Sequence, residues 1–103
     1  MNVLVVYVDR LKPLWKELAD IVDDIKEARR EKRTTSVDRL VEERKKIEAE
    51  IDAILKEAKD HGFDPKAVEL VGRETMETDA QREKRLRFEL VLDLYRKELA
   101  KAG

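Results

Sequence analysis

The 103-residue sequence contains no cysteine, only three glycines and two prolines, and five aromatic residues: two phenylalanines, two tyrosines and one tryptophan. Without cysteine there is no disulfide framework and no thiolate metal site, a usage that suits a reducing cytoplasm. The glycines are scattered at Gly62, Gly72 and Gly103, so no glycine-rich loop exists to cradle a phosphate. The longest apolar run, Val3 to Val8, falls far short of the ~20 residues that span a bilayer. It also lacks the basic flank and cleavage site of a signal peptide. Neither sign of charge prevails: 23 Lys and Arg face 24 Asp and Glu, for a net charge of −1. Attraction to nucleic acid must therefore come from a local patch.

What the sequence does have is charge. Charged residues make up 46% of it, against about 25% in an ordinary globular domain. Ala, Glu, Lys, Leu and Arg together exceed half of the residues, the composition of long helices and coiled coils. The length fits one domain. A chain this short and this polar buries little surface by itself, so helix-to-helix association with a second copy is expected.

Residues 1–8 read either as a short β-branched strand or as an apolar first helical turn or loop. A helix follows over about Arg10 to Lys32. Leu11, Leu14, Leu18, Ile21, Ile25 and Ala28 recur at three and four residues, with Trp15 and Val22 widening the stripe. Pro13 belongs in a first turn, which puts the start near Lys12. Thr34, Thr35 and Ser36 interrupt the pattern, and Thr35 with Asp38 resembles a capping box for a second helix. There Val37, Leu40, Arg44, Ile47, Ile51, Ile54 and Ala58 keep coiled-coil spacing until Gly62 ends it. The short connection favours a helical hairpin over one continuous rod. Asp64-Pro65 opens a short helix that stops near Gly72. Thr78 to Gln81 caps a last helix running to about Lys101. Its apolar residues, Leu86, Phe88, Leu90, Val91, Leu92, Leu94, Tyr95 and Leu99, cover more than one face, so it is expected to be sandwiched. The fold class is all-α: a helical hairpin or coiled coil with a short helix and a C-terminal helix, oligomeric, in one unit.

Catalytic chemistry is scarcely supplied. Ser36 and His61 sit at opposite ends of the second helix, roughly 37 Å apart. Glu57 and His61 are four residues apart, without a second such pair to complete a metal centre. No catalytic residue, metal, cofactor, small-molecule substrate or membrane partner is expected. Basic residues are better represented. Residues 26–33 hold five Lys or Arg against two Glu, and Arg82, Lys84, Arg85 and Arg87 crowd the start of the last helix. Such clusters make sequence-independent contacts to phosphates, or simply form solvated faces.

From Arg39 onward the sequence carries a more specific pattern. Arg39-Leu40, Glu42-Glu43-Arg44-Lys45, Ile47, Ile51, Glu57-Ala58-Lys59-x-x-Gly62-Phe63-Asp64-x-Lys66, Val71 and Arg73 are followed by Arg85 and Leu92-Asp93-Leu94-Tyr95. This pattern resembles the GapR-like domain of small nucleoid-associated DNA-binding proteins, over about two thirds of the chain. The resemblance implies a long coiled-coil helix and two further helices, assembled into dimers and tetramers that hold DNA in a basic channel and read its shape. By position it implies DNA-facing roles for Arg44, Lys59 and Lys66. The sequence departs from the family at Asp52, where a lysine is usual, and at Glu69, Glu74, Thr75 and Met76, where the family is basic. Residues 36–78 hold 8 basic against 12 acidic residues.

The resulting expectation is an N-terminal helical extension over residues 1–35 and a GapR-like helical domain over residues 36–103. The protein would be a non-enzymatic, cytoplasmic, nucleoid-associated binder of double-stranded DNA. It would act as a homo-oligomer through Arg44, Lys59, Lys66 and Arg73, supplemented by Arg29, Arg30 and Arg33. Leu40, Ile47, Ile51 and Ile54 would form the oligomer interface. The alternative is a divergent oligomerisation module that has lost DNA binding.

Overall fold

The structure, a computed structural model, describes residues 2–102. It comprises α1 (Val3–Arg30), α2 (Thr34–Asp60), α3 (Pro65–Glu74) and α4 (Asp79–Ala102), and among the described residues there is no strand. The chain is all-α. It divides into two compact units, Met1–Gly72 and Arg73–Gly103, rather than forming the single unit expected.

In the first unit α1 and α2 pair as an antiparallel hairpin. Arg10 near the start of α1 meets Glu57 near the end of α2, while the two helices join through residues 31–33. The apolar stripes meet face to face: Leu11, Trp15, Ile21, Ile25 and Ala28 from α1 with Leu40, Ile47, Ile51, Ile54 and Ala58 from α2 form one buried cluster, joined by Val68 of α3. A buried Leu or Ile side chain contributes about 1.5–3 kcal/mol, far more than the surface ion pairs along these helices.

Helix α1 begins at Val3, not near Lys12, and the strand option for residues 1–8 falls with it. Asn2 caps it, its side-chain oxygen accepting from the Leu4 N–H at 3.0 Å. Tyr7 and Val8 are buried on the same cluster, and that tertiary contact outweighs the strand preference of the valines. Pro13 consequently lies inside the helix, where it cannot donate to the Asp9 carbonyl, at a cost of about 3 kcal/mol. Leu11 at 0% and Trp15 at 3% exposure flank it, and their burial offsets that loss.

Both hairpin helices end in the same way. At the end of α1 the Lys32 N–H donates to the Arg29 carbonyl at 3.1 Å and the Arg33 N–H to the Ala28 carbonyl at 2.9 Å, with Lys32 at φ 58°. At the end of α2 the Gly62 N–H donates to the Lys59 carbonyl at 2.9 Å and the Phe63 N–H to the Ala58 carbonyl at 3.0 Å, with Gly62 at φ 91°. Each is a Schellman closure, whose left-handed residue is ordinarily glycine. The expected Thr35–Asp38 capping box is absent. Helix α2 already starts at Thr34, and its N-cap, Arg33, makes no side-chain capping bond, because the closure on α1 leaves no residue between the helices to place a Thr hydroxyl over the first turn.

Asp64 caps α3, its Oδ1 accepting from the N–H groups of Lys66 at 2.9 Å and Ala67 at 3.3 Å. The helix runs on to Glu74 rather than stopping at Gly72. Gly72 has a packing role instead: a Cβ built there would lie 2.6 Å from Trp15 Cη2, so the indole needs the space.

In the second unit the Thr78–Gln81 box forms as expected. The Thr78 N–H donates to Gln81 Oε1 at 3.0 Å and the Gln81 N–H to Thr78 Oγ1 at 3.2 Å. Helix α4 is not sandwiched: none of its residues is buried, and Phe88, Tyr95 and Leu99 are 62%, 64% and 73% exposed. Its apolar residues lie on two opposite faces, and none of them is buried.

Candidate nucleic-acid interface

The basic residues expected to meet DNA fall into distinct groups. Lys59, in the last turn of α2, and Lys66, in the first turn of α3, line one groove with Gly62, Phe63, Asp64 and Pro65. The left-handed Gly62 reverses the chain there, which is what brings two lysines seven residues apart to a shared concavity. Both are exposed, and among the described residues neither makes an ion pair, leaving their ammonium groups available. Asp64 sits between them, its carboxylate engaged by the first turn of α3.

Arg29 and Arg33 line a second concavity with Lys32, Thr34, Val37 and Asp38 at the hairpin turn. Arg30 is exposed beside them. Arg33 Nε is held by Glu31 at 2.8 Å, whereas Arg29, Arg30 and Lys32 are exposed without a carboxylate partner. Arg39, also exposed, shares a smaller depression with Arg33 and Ser36. Lys32 and Arg39 are not among the site residues that the sequence singles out; the charge run over residues 26–33 marks Lys32, and Arg39 lies beyond it.

Arg44 lies between these groups, partly buried, with its Nε 3.4 Å from Glu48. Arg73 belongs to the second unit, in the last turn of α3. In the cluster opening α4, Arg85 and Arg87 are committed to neighbouring carboxylates. Arg85 Nε donates to Glu77 Oε1 at 2.8 Å, and its Nη1 lies 3.2 Å from Glu89 and 3.7 Å from Glu74. The Glu77 hydrogen bond in particular pushes the guanidinium pKa further up. Arg87 is tied to Glu83 at 2.6 Å.

The far end of the hairpin carries a polar cluster of another kind. Tyr7 Oη lies 2.7 Å from His61 Nδ1, which is 3.0 Å from the Glu57 carbonyl. The Glu57 carboxylate accepts from Arg10 at 2.6 Å, and Phe63 meets the Tyr7 ring edge-on. Glu57 and His61 are thus engaged in fastening α1 to α2. This explains locally why both appear at that spacing.

Leu40, Ile47, Ile51 and Ile54, expected at an interface between copies, are buried inside the chain's own hairpin. Helix α1 closes the seam, so these side chains do not by themselves demand a second copy.

The two concavities differ in charge. Residues 26–33 carry five basic against two acidic residues, and residues 56–66 carry three against three. Among the described residues, no helix is long and apolar enough to cross a membrane. No match is found among curated proteins or solved structures. A family model does match: the GapR-like, DNA-binding domain, over residues 31–100. That span takes in the hairpin turn, all of α2 and α3 and nearly all of α4, and on it the chain belongs to the GapR-like DNA-binding domain family.

Proposed function

We propose that this protein is a non-enzymatic binder of double-stranded DNA, acting as a homo-oligomer at the nucleoid through contacts to backbone phosphates. Family membership over residues 31–100 carries the reading. Residues 1–35 are an extension whose helix completes the core of the family domain at residues 36–103. Lys59 and Lys66 are the central contacts, since they are exposed, unpaired and share one groove. Arg44 lies on the same helix, and Arg73, Arg29, Arg30 and Arg33 add positive charge. Self-association uses the apolar residues of α4 that a single chain leaves exposed.

Phosphate contacts make binding sequence-tolerant and steeply salt-dependent. Fluorescence anisotropy on duplex DNA at low and moderate salt tests this. Lys59→Glu with Lys66→Glu weakens binding and flattens the salt slope by about two units. The acidic balance of residues 36–78, 8 basic against 12 acidic, favours a second reading, an oligomerisation module without DNA binding. A folded wild-type protein that fails to bind at low salt would establish that reading instead.

A further inference from the structure

The most positive surface of the hairpin lies at its turn, and half of its basic residues precede those that match the family. Lys26, Arg29, Arg30, Lys32, Arg33 and Arg39 are all exposed there. Elsewhere the basic residues of this near-neutral chain often sit against carboxylates, as Arg10, Arg44, Arg85, Arg87 and Arg96 do. At the turn only Arg33 is so held. Unpaired like charges crowded together repel one another, and the arrangement is relieved when a polyanion lies against it. A second observation points the same way. Lys32 takes the left-handed position of the α1 closure, the only non-glycine residue with positive φ among those described. Glycine fills the equivalent position of the α2 closure without strain. A side chain kept at a strained position is a pointer to use, and here the side chain is a cation that lines the concavity.

We propose that the hairpin turn is a second phosphate-contacting surface, placed so that one chain touches the same DNA duplex at two points one helical turn apart. This rests on the DNA-binding reading above. Arg33 and Lys59 are separated along α2 by roughly 40 Å, from the rise of 1.5 Å per residue. The helical repeat of B-DNA is about 34–36 Å, close enough for flexible side chains to bridge the difference. Arg44, between them along the axis, has the helical phase of Ile47 and Ile51, which face α1, so the contact falls to the two ends. One duplex lying along the hairpin meets the turn at one end and the α2–α3 groove at the other. The uncapped first turn of α2 adds backbone N–H groups at the same tip.

The test is anisotropy with two labelled duplexes, one of about 24 base pairs and one of about 8, the latter spanning only ~27 Å at 3.4 Å per pair. The turn variant is Arg29→Gln, Arg30→Gln and Lys32→Gln; the groove variant is Lys59→Gln and Lys66→Gln. On the long duplex each variant weakens binding, and the salt slope flattens by up to about three units for the turn and two for the groove. On the short duplex the wild-type slope is already reduced, because only one tip is in contact. A turn variant with wild-type affinity and slope, beside a weakened groove variant, overturns this inference and leaves the DNA-binding reading standing. Equal wild-type slopes on both duplexes overturn the one-duplex geometry. A folded wild-type protein that binds neither duplex overturns both readings.

Discussion

The hairpin and the C-terminal helix are built from nearly the same amino acids and meet opposite fates. Helices α1 and α2 each present one apolar stripe, and each stripe finds its partner in the other helix, so thirteen residues, with Val68 of α3 among them, are buried in one cluster. Helix α4 has apolar residues on two faces. Phe88, Leu92, Tyr95 and Leu99 follow heptad spacing on one, and Leu86, Leu90 and Leu94 lie opposite; no α4 residue is buried. One stripe is a problem that a chain solves internally by folding back on itself. Two opposed stripes need two partners, and no residue of α4 is buried on either. Buried apolar contact therefore concentrates in residues 3–72, and exposed apolar surface in residues 79–102.

The sharpest way to break the hairpin side of this comparison is Gly72→Ala. The added methyl would lie 2.6 Å from Trp15 Cη2 and 2.9 Å from Cζ3, both in a rigid ring that is itself buried. Overpacking of this kind costs about 1–3 kcal/mol. Chemical denaturation followed by the fluorescence of Trp15, the only tryptophan, reads the loss directly. Native emission is blue and poorly quenched, and in the variant it moves red as the indole is displaced. An unchanged midpoint and spectrum would mean that α3 does not press on α1 at this point.

Much of this was legible in the sequence, and the exceptions have definite causes. The stripes of α1 and α2, the glycine stop at Gly62, the Asp64-Pro65 start and the Thr78–Gln81 box all rest on local rules of spacing and capping, and all appear in the structure. Local rules put Pro13 in a first turn, but burial of Tyr7, Leu11 and Trp15 outweighs its cost and starts α1 earlier. Local rules also make Gly72 a stop, because its role, leaving room for an indole 57 positions earlier, is invisible to any local pattern. The lysines of the α2–α3 groove were named by resemblance, and the structure accounts for their meeting through the left-handed turn between them. That the hairpin turn outdoes the groove in charge follows from counting, but only the hairpin geometry places Arg29, Lys32 and Arg33 around one concavity.

A smaller effect, of opposite sign, is expected at the turn. Lys32→Gly removes the side chain from the left-handed position at φ 58°. Relief of that strain outweighs the extra backbone entropy of glycine and stabilises the hairpin by about 1 kcal/mol. The same substitution removes one cation from the tip, so DNA affinity falls and the salt slope flattens by about one unit. A gain in stability with a loss of binding identifies a residue retained for its charge. Parallel losses would assign Lys32 a packing role. Denaturation and anisotropy on the same preparation separate the two.

The smallest effect on folding is expected on α4, and it is informative because it is small. Phe88→Asp replaces an exposed aromatic residue with a carboxylate on the heptad face. Within one chain it breaks no buried contact, so hairpin stability changes by no more than about 0.5 kcal/mol at concentrations where the protein is monomeric. In a self-associated state the same carboxylate is forced into an apolar seam without a partner. Light scattering across a concentration series should then show the wild type gaining mass and the variant remaining a monomer. Leu90→Asp on the opposite face asks whether the second stripe engages as well. If only the Phe88 face matters, the assembly stops at two copies joined through α4. If both substitutions reduce the mass, α4 is sandwiched after all, by neighbours from other chains.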